Sequence, residues 1–141
     1  MQPADFPVKH VLRIDWSELD YFKHVNNVSF FKYIQSARVN YWDRVGLTAS
    51  HLATNIGPML ASVHCEFKKP LFYPGEVAVL TRTEFIKNSS FGFHHLLLNA
   101  AGDICAEAKD VMVMFDFNAN QKTPFPRHFR DAIAQLENKA F

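Results

Sequence analysis

The sequence predicts an α+β fold: an antiparallel sheet of five to six strands wrapped around one long helix. Three observations point to it. One strand-like segment near the N-terminus is followed by a stretch of helical period over 28–45. Four further strand-like segments come after that stretch, joined by short turns, and short turns impose antiparallel pairing. A sheet with one face to bury, beside a single amphipathic helix, covers that helix by curling over its apolar stripe.

The first segment, 8–15, sets Val8, His10, Leu12 and Ile14 against Lys9, Arg13 and Asp15, with Val11 the one exception. That alternation marks a half-buried strand. A loop over 16–27 leads to the helix. There Phe30, Ile34, Ala37, Tyr41 and Val45 share one face, and Lys32, Ser36, Asn40 and Asp43 lie opposite. Asn26 or Asn27 serves as N-cap, because a short amide side chain accepts from an otherwise unpaired N–H. Gly46 is the expected stop. The connection 48–58 has turn chemistry at Gly57-Pro58 and room for a short helical piece around His51.

The second strand is expected over 59–69, closed by Pro70, with a turn at Tyr73-Pro74-Gly75. The third, 77–87, places Val77, Val79, Thr81, Thr83 and Phe85 on one face, and Asn88-Ser89-Ser90 makes the hairpin tip. The fourth covers 91–100. The fifth covers 104–117, with Val111, Val113, Phe115 and Phe117 opposed to Met112 and Met114. A polar exit over 117–124 precedes a closing helix, 126–137, on which Phe129, Ile133 and Leu136 align. All 141 residues are expected to form a single domain, with a core over about 8–117.

Composition excludes several classes. A formal charge of +1 leaves no electrostatic footprint for nucleic acid or an acidic membrane surface. No basic segment followed by an apolar run opens the chain, and no apolar stretch approaches the ~20 residues that span a bilayer. A soluble, cytoplasmic protein is expected. Cys65 and Cys105 form no C-x-x-C pair and read as two buried free thiols. The His are dispersed, with His94 and His95 on opposite sides of a strand, so no metal site is expected. The 14 Phe suggest an aromatic core or an apolar cavity without deciding between them.

The chemistry concentrates in Asp20-Tyr-Phe-Lys-His-Val-Asn-Asn27, packed against the positive end of the long helix. This string, with Ala37-Arg38 in the aromatic-rich helix after it, resembles the hot-dog-fold acyl-CoA thioesterases. The nearest group is the 4-hydroxybenzoyl-CoA thioesterase-like branch. Phe67-Lys-Lys-Pro70-Leu71 with Pro74-Gly75-Glu76 resembles that family's second-to-third strand junction. The resemblance covers about 8–117. It implies a dimer or dimer of dimers with sites at the subunit interface, Asp20 as the catalytic carboxylate, and His24 at the position of a catalytic His in the plant-type relatives. Lys23, Phe22 and Ser36 depart from the family pattern, where Gly, Asn and Glu are common.

Thioester hydrolysis needs an activated nucleophile and a stabilised oxyanion. Asp20 can act as general base toward water or attack directly. The free N–H groups near Asn27 and Val28 can polarise the carbonyl. No cofactor is required, since coenzyme A is part of the substrate. Lys87, Ser89 and Ser90 are candidates to meet its phosphates, although a plain hairpin tip explains them as well. Plainer readings stand beside the others too: Asp20 as a loop acid holding amides, His24 as a packing residue, Asn27 as a cap. Asp15 and Glu18 read as solvated or paired acids, and Arg38, on the apolar helix face, needs an ion-pair partner. A hot-dog dehydratase, an acyl carrier protein thioesterase and a non-catalytic coenzyme A binder are the competing readings.

Overall fold

The structure is a computed structural model that describes residues 2–141. Its sheet comprises β1 (Val8–Arg13), β2 (Ile56–Phe67), β3 (Glu76–Ile86), β4 (Ser90–Leu98), β5 (Ile104–Asp116) and a two-residue β6 (Gln121–Lys122). The spatial order is β1-β3-β4-β5-β2, with β6 paired to β5 and every pair antiparallel. The helices are α1 (Asn27–Val45), α2 (Leu47–Thr54) and α3 (Arg127–Glu137). This is the α+β architecture expected, with β1 and β2 at the two edges.

α1 forms as its pattern requires. Phe30, Ile34, Ala37, Tyr41 and Val45 are buried, joined by Tyr33 one position off the stripe. The Asn26 side chain accepts from the Ser29 N–H at 2.8 Å, so Asn26 is the cap and Asn27 the first helical residue. Gly46 ends the helix at φ 84°, a left-handed conformation that costs glycine little. The sheet buries the helix in two clusters. Toward the N-terminal half, Phe30, Ile34 and Ala37 meet Leu71, Val77, Val79 and Leu97. Toward the C-terminal half, Tyr41 and Val45 meet Phe91, Phe93, Met112, Met114, Phe129 and Ile133.

Several strand ends differ from expectation by two or three residues, and two departures bear on the fold. β2 begins at Ile56 and absorbs Gly57-Pro58, whose composition points to a turn; Pro58 pairs opposite Met114. An edge strand tolerates a proline because its outward N–H has no ladder partner to lose. The exit loop after β5 contains β6, whose Lys122 pairs with Phe115. The cysteines also differ: Cys105 is buried but Cys65 only half so. Burial pushes the Cys65 thiol up to about 11, which keeps it protonated and unreactive at neutral pH.

Both faces of β4 are covered. Outward, Phe6 lies against Leu80, Leu96 and Leu98, and Arg82 stacks over the Phe6 ring. There His94 pairs with Glu107 at 2.6 Å and meets Arg82 at 3.2 Å, and burial holds its imidazole below the usual range. Inward, Arg38 finds the partner it requires. Its Nε donates to Asp110 Oδ2 at 2.9 Å, His95 Nε2 meets the same oxygen at 2.7 Å, and Thr81 Oγ1 meets His95 Nδ1 at 2.8 Å. Burial alone would push the Asp110 carboxyl up, but His95 and Arg38 outweigh it and hold it below the usual range.

A carboxyl depressed in the folded state adds stability above its unfolded pKa and loses it as pH falls through the folded value. Arg38→Met removes the counter-charge and should cost about 3–5 kcal/mol at neutral pH in urea unfolding. The deficit should shrink as pH falls below about 3.9, the ordinary Asp value. A deficit that does not change with pH would show that packing, not charge, is what Arg38 supplies.

Candidate active site

The loop before α1 is built by short-range hydrogen bonds. Asp15 caps the turn Trp16–Glu18, accepting from the Ser17 N–H at 2.9 Å and from the Ser17 hydroxyl, which holds its carboxyl below the usual range. Glu18, expected to be solvated or paired, is paired and buried. Its Oε1 accepts from the Asp15 N–H and the Tyr33 hydroxyl, both at 2.8 Å, and its Oε2 lies 3.5 Å from Lys32 Nζ. Burial, and then this bond to Glu18, pushes the Tyr33 phenol well up. The Glu18 carbonyl accepts from the Asn26 N–H at 2.9 Å. One residue thus ties the start of the loop, the helix cap and the second turn of α1 together.

Asp20 follows two residues later. Its Oδ1 accepts from the N–H of Phe22 at 2.8 Å and of His24 at 3.2 Å, while its own N–H donates to the His24 carbonyl at 2.7 Å. These bonds fix the carboxylate and leave Oδ2 outside the turn. Lys23 closes the turn in a left-handed conformation, φ 68°, donating to the Asp20 carbonyl at 3.1 Å. The Val25 N–H donates to the Leu71 carbonyl at 2.9 Å, docking the loop beside the segment after β2.

The result is an open cleft of about 350 Å³ lined by Asp20, His24, Asn27, Phe30, Phe67, Lys68 and Lys69, among others. Asp20, His24 and Asn27 therefore come together as the sequence suggested. His24 enters as a wall: its ring packs edge-on against Phe72 at 5.1 Å, and its link to Asp20 runs through backbone groups. At the start of α1 the amides of Asn27 and Val28 have no intrahelical acceptor, and they carry the positive end of a 19-residue helix. Val28 is 63% exposed and does not line the cleft; of the first turn of α1, Asn27 and Phe30 do.

Lys87, Ser89 and Ser90 are not brought to this cleft within the chain. The segment leading away from it enters β3 at Glu76, and these residues lie past the other end of that 11-residue strand, about 30 Å away. There the Ser89 carbonyl accepts from the Met114 N–H at 2.7 Å, and Lys87 packs over the Phe85 ring. They serve as a hairpin tip, because strand direction carries the third strand's end away from the helix N-terminus.

The cations at the cleft are Lys68 and Lys69, which sequence reasoning did not single out as site residues. Their N–H groups donate to the Cys105 carbonyl at 2.8 and 3.1 Å, and their ammonium groups make loose pairs, 3.8 Å from Glu66 and Asp103. The signal was present in Lys68-Lys69-Pro70, two adjacent cations where a strand stops. What the string could not reveal is that β2 ends beside the start of α1. Among the described residues no cluster of three His, Cys, Asp or Glu could hold a metal ion, and no helix is long and apolar enough to cross a membrane.

Known proteins share this fold. The family model for the thioesterase-like superfamily matches residues 14–133. The uncharacterized protein YsmA of Bacillus subtilis (strain 168) is 28% identical over 110 residues, covering 78% of this chain and 74% of its own. A thioesterase from Thermus thermophilus, whose crystal structure is complexed with coenzyme A and Zn, is 26% identical. It superposes with a TM-score of 0.86 over 97% of this chain and 98% of that one. DHNA-CoA thioesterase from Staphylococcus aureus, at 16% identity, keeps the fold alone, with a TM-score of 0.80 over 92% of this chain and 90% of its own. With its curled antiparallel sheet, central helix and matching family model, the chain belongs to the thioesterase-like superfamily: it is a thioester hydrolase on a hot-dog fold.

Proposed function

We propose that this chain hydrolyses acyl-CoA thioesters to the free acid and coenzyme A, using Asp20 and the first turn of α1. The observation that carries the reading is that Asp20 and Asn27, the first residue of α1, line one cleft at the end of the helix whose first amides have no intrahelical acceptor. A thioester carbonyl set against the amides of Asn27 and Val28 gains charge in the transition state where the helix end is positive. Asp20 Oδ2 then acts in one of two ways: it removes a proton from attacking water, or it attacks the carbonyl carbon to give an anhydride that water hydrolyses. Both routes expel the coenzyme A thiolate. A thiol of pKa about 8.5 is a good leaving group, so His24 needs no proton-transfer role and acts by walling the cleft.

Lys68 and Lys69 are the groups suited to the coenzyme A phosphates. They stand at the rim, where exchanging Glu66 or Asp103 for a phosphate costs little because those pairs are exposed and loose. Self-association follows from β2. Its outer edge is unpaired among the described residues, and Met59, Leu60 and Phe67 along it are exposed. Two such edges joined across a two-fold axis would bring a partner surface over the open side of the cleft.

Three measurements test this. Asp20→Asn keeps an oxygen for the Phe22 and His24 amides but removes the charge. It should lower kcat for coenzyme A release about 10²–10³-fold at unchanged melting temperature, and undiminished turnover across short, long and aromatic acyl-CoAs would sink the assignment. Replacing both Lys68 and Lys69 by Ala should raise KM about tenfold at low salt, with kcat changed far less, and the difference should fade as salt screens it. Light scattering should give twice the chain mass of 16.2 kDa for the native protein or a multiple of that, and the single-chain mass for Met59→Lys. A wild-type protein that stays monomeric at millimolar concentration would remove the partner from the site.

A further inference from the structure

A second cleft, with a volume of about 710 Å³, is lined by residues of the Asp20 loop. Trp16, Ser17, Leu19, Tyr21, Lys23 and Tyr73 line it together with Asp20, the one residue common to both clefts. Three of its rings are unusually bare: Tyr21 is 93% exposed, Trp16 71% and Tyr73 46%. Isolated surface aromatics need no explanation, but three around one concavity beside a reactive carboxylate form a platform for an apolar group.

Lys23 supplies the second observation. Its φ of 68° lies where glycine rests freely and L side chains rarely go. The turn needs that conformation, since it aims the Lys23 N–H at the Asp20 carbonyl. A lysine nevertheless stands there. It makes no ion pair among the described residues, and it is one of the residues lining the aromatic cleft. A strained position occupied by a long charged side chain next to the site is where a functional constraint is to be sought.

We propose that the second cleft is the acyl subsite, and that Lys23 selects acyl groups carrying a further acid group on a ring-bearing body. The inference rests on the thioesterase reading above. Coenzyme A occupies the first cleft, where two adjacent lysines match a multiply charged phosphate chain. The thioester crosses over Asp20, and the acyl group enters the second cleft. One cation among rings suits a single carboxylate: the rings cover the apolar body, and the ammonium offsets the repulsion an acidic acyl group would meet from Asp20. A neutral acyl group receives only the rings.

The test compares kcat/KM for 4-carboxybenzoyl-CoA and benzoyl-CoA in the wild-type protein, Lys23→Gly and Lys23→Gln. Wild type should favour the acidic substrate about fivefold or more at low salt, with the preference shrinking as salt rises. In both variants the ratio should fall to about one. Glycine suits the backbone of this turn, so the melting temperature of Lys23→Gly should hold or rise, which separates lost selectivity from lost folding. A wild-type ratio near one, with both thioesters hydrolysed, overturns the acyl assignment and leaves the thioesterase reading standing. An equal rise in KM for both substrates in Lys23→Gly places a coenzyme A phosphate at Lys23 and also overturns it. Failure to hydrolyse these or any other acyl-CoA overturns the thioesterase reading itself, and this inference with it.

Discussion

The arrangement depends on how firmly the Asp20 loop is held against the start of α1. A carboxylate and a helix end can cooperate on one carbonyl only if their separation is fixed to well under an ångström, because misplacement of that order costs orders of magnitude in rate. Loops are ordinarily the least constrained part of a fold. Here the constraint is Glu18, a carboxylate only 8% exposed, which reaches the Tyr33 hydroxyl on α1 while its carbonyl takes the N–H of the cap residue Asn26. Asp20 lies two residues beyond that anchor, and its own Oδ1 is taken up by the Phe22 and His24 amides. The loop is therefore tied at both ends to the element whose dipole it complements.

That arrangement is half legible in the string. The helix, its apolar face and its glycine stop follow from spacing alone, because 3.6-residue periodicity is a local property. Asp20, His24 and Asn27 are legible as neighbours because they are neighbours in sequence. Glu18 reads only as a solvated or paired acid, since its main partner, Tyr33, sits fifteen residues on and one position off the apolar stripe. Arg38 announces its need for an ion-pair partner, but Asp110 lies seventy-two residues away, and nothing local names it. Composition draws Lys87, Ser89 and Ser90 toward the site, and strand direction carries them to the far end of the sheet. Pro58 misleads through a local rule that the edge position of β2 suspends.

The buried polar groups divide the helix into regions with different tasks. Near the start, the buried Tyr33 hydroxyl donates to Glu18, one turn on from Phe30 at the cleft. Midway, Arg38, Asp110, His95 and Thr81 cross from helix to sheet. Toward the end, the Tyr41 hydroxyl donates to Glu137 and accepts from Thr83 at 2.9 Å, and Glu137 accepts from the Thr83 N–H at 2.7 Å. An apolar helix in a curled sheet could slide or rotate with little change in buried area. Directional hydrogen bonds at three levels remove that freedom, since a register shift would orphan buried charges at a cost of several kcal/mol each. Among the described residues three buried side-chain atoms are left without a partner: Asp110 Oδ1, Trp42 Nε1 on α1 and Thr48 Oγ1 on α2.

Half of the 14 phenylalanines fall into two groups along the same axis. Phe91, Phe93, Phe125 and Phe129 fill the core around the C-terminal half of α1. Phe22, Phe67 and Phe72 are exposed around the Asp20 loop, where a core residue would have no reason to be. Composition could not separate these two populations, because an aromatic core and an aromatic binding rim have the same residue count. The fold separates these seven: four pack around Tyr41 and Val45, and three stay exposed around the Asp20 loop. The charged groups around that loop divide too, with Lys68 and Lys69 lining one cleft beside Asp20 and Lys23 the other. A substrate laid across the loop would meet cations on both sides and a carboxylate at its centre, an order of charge that matches a thioester with an anionic carrier at one end.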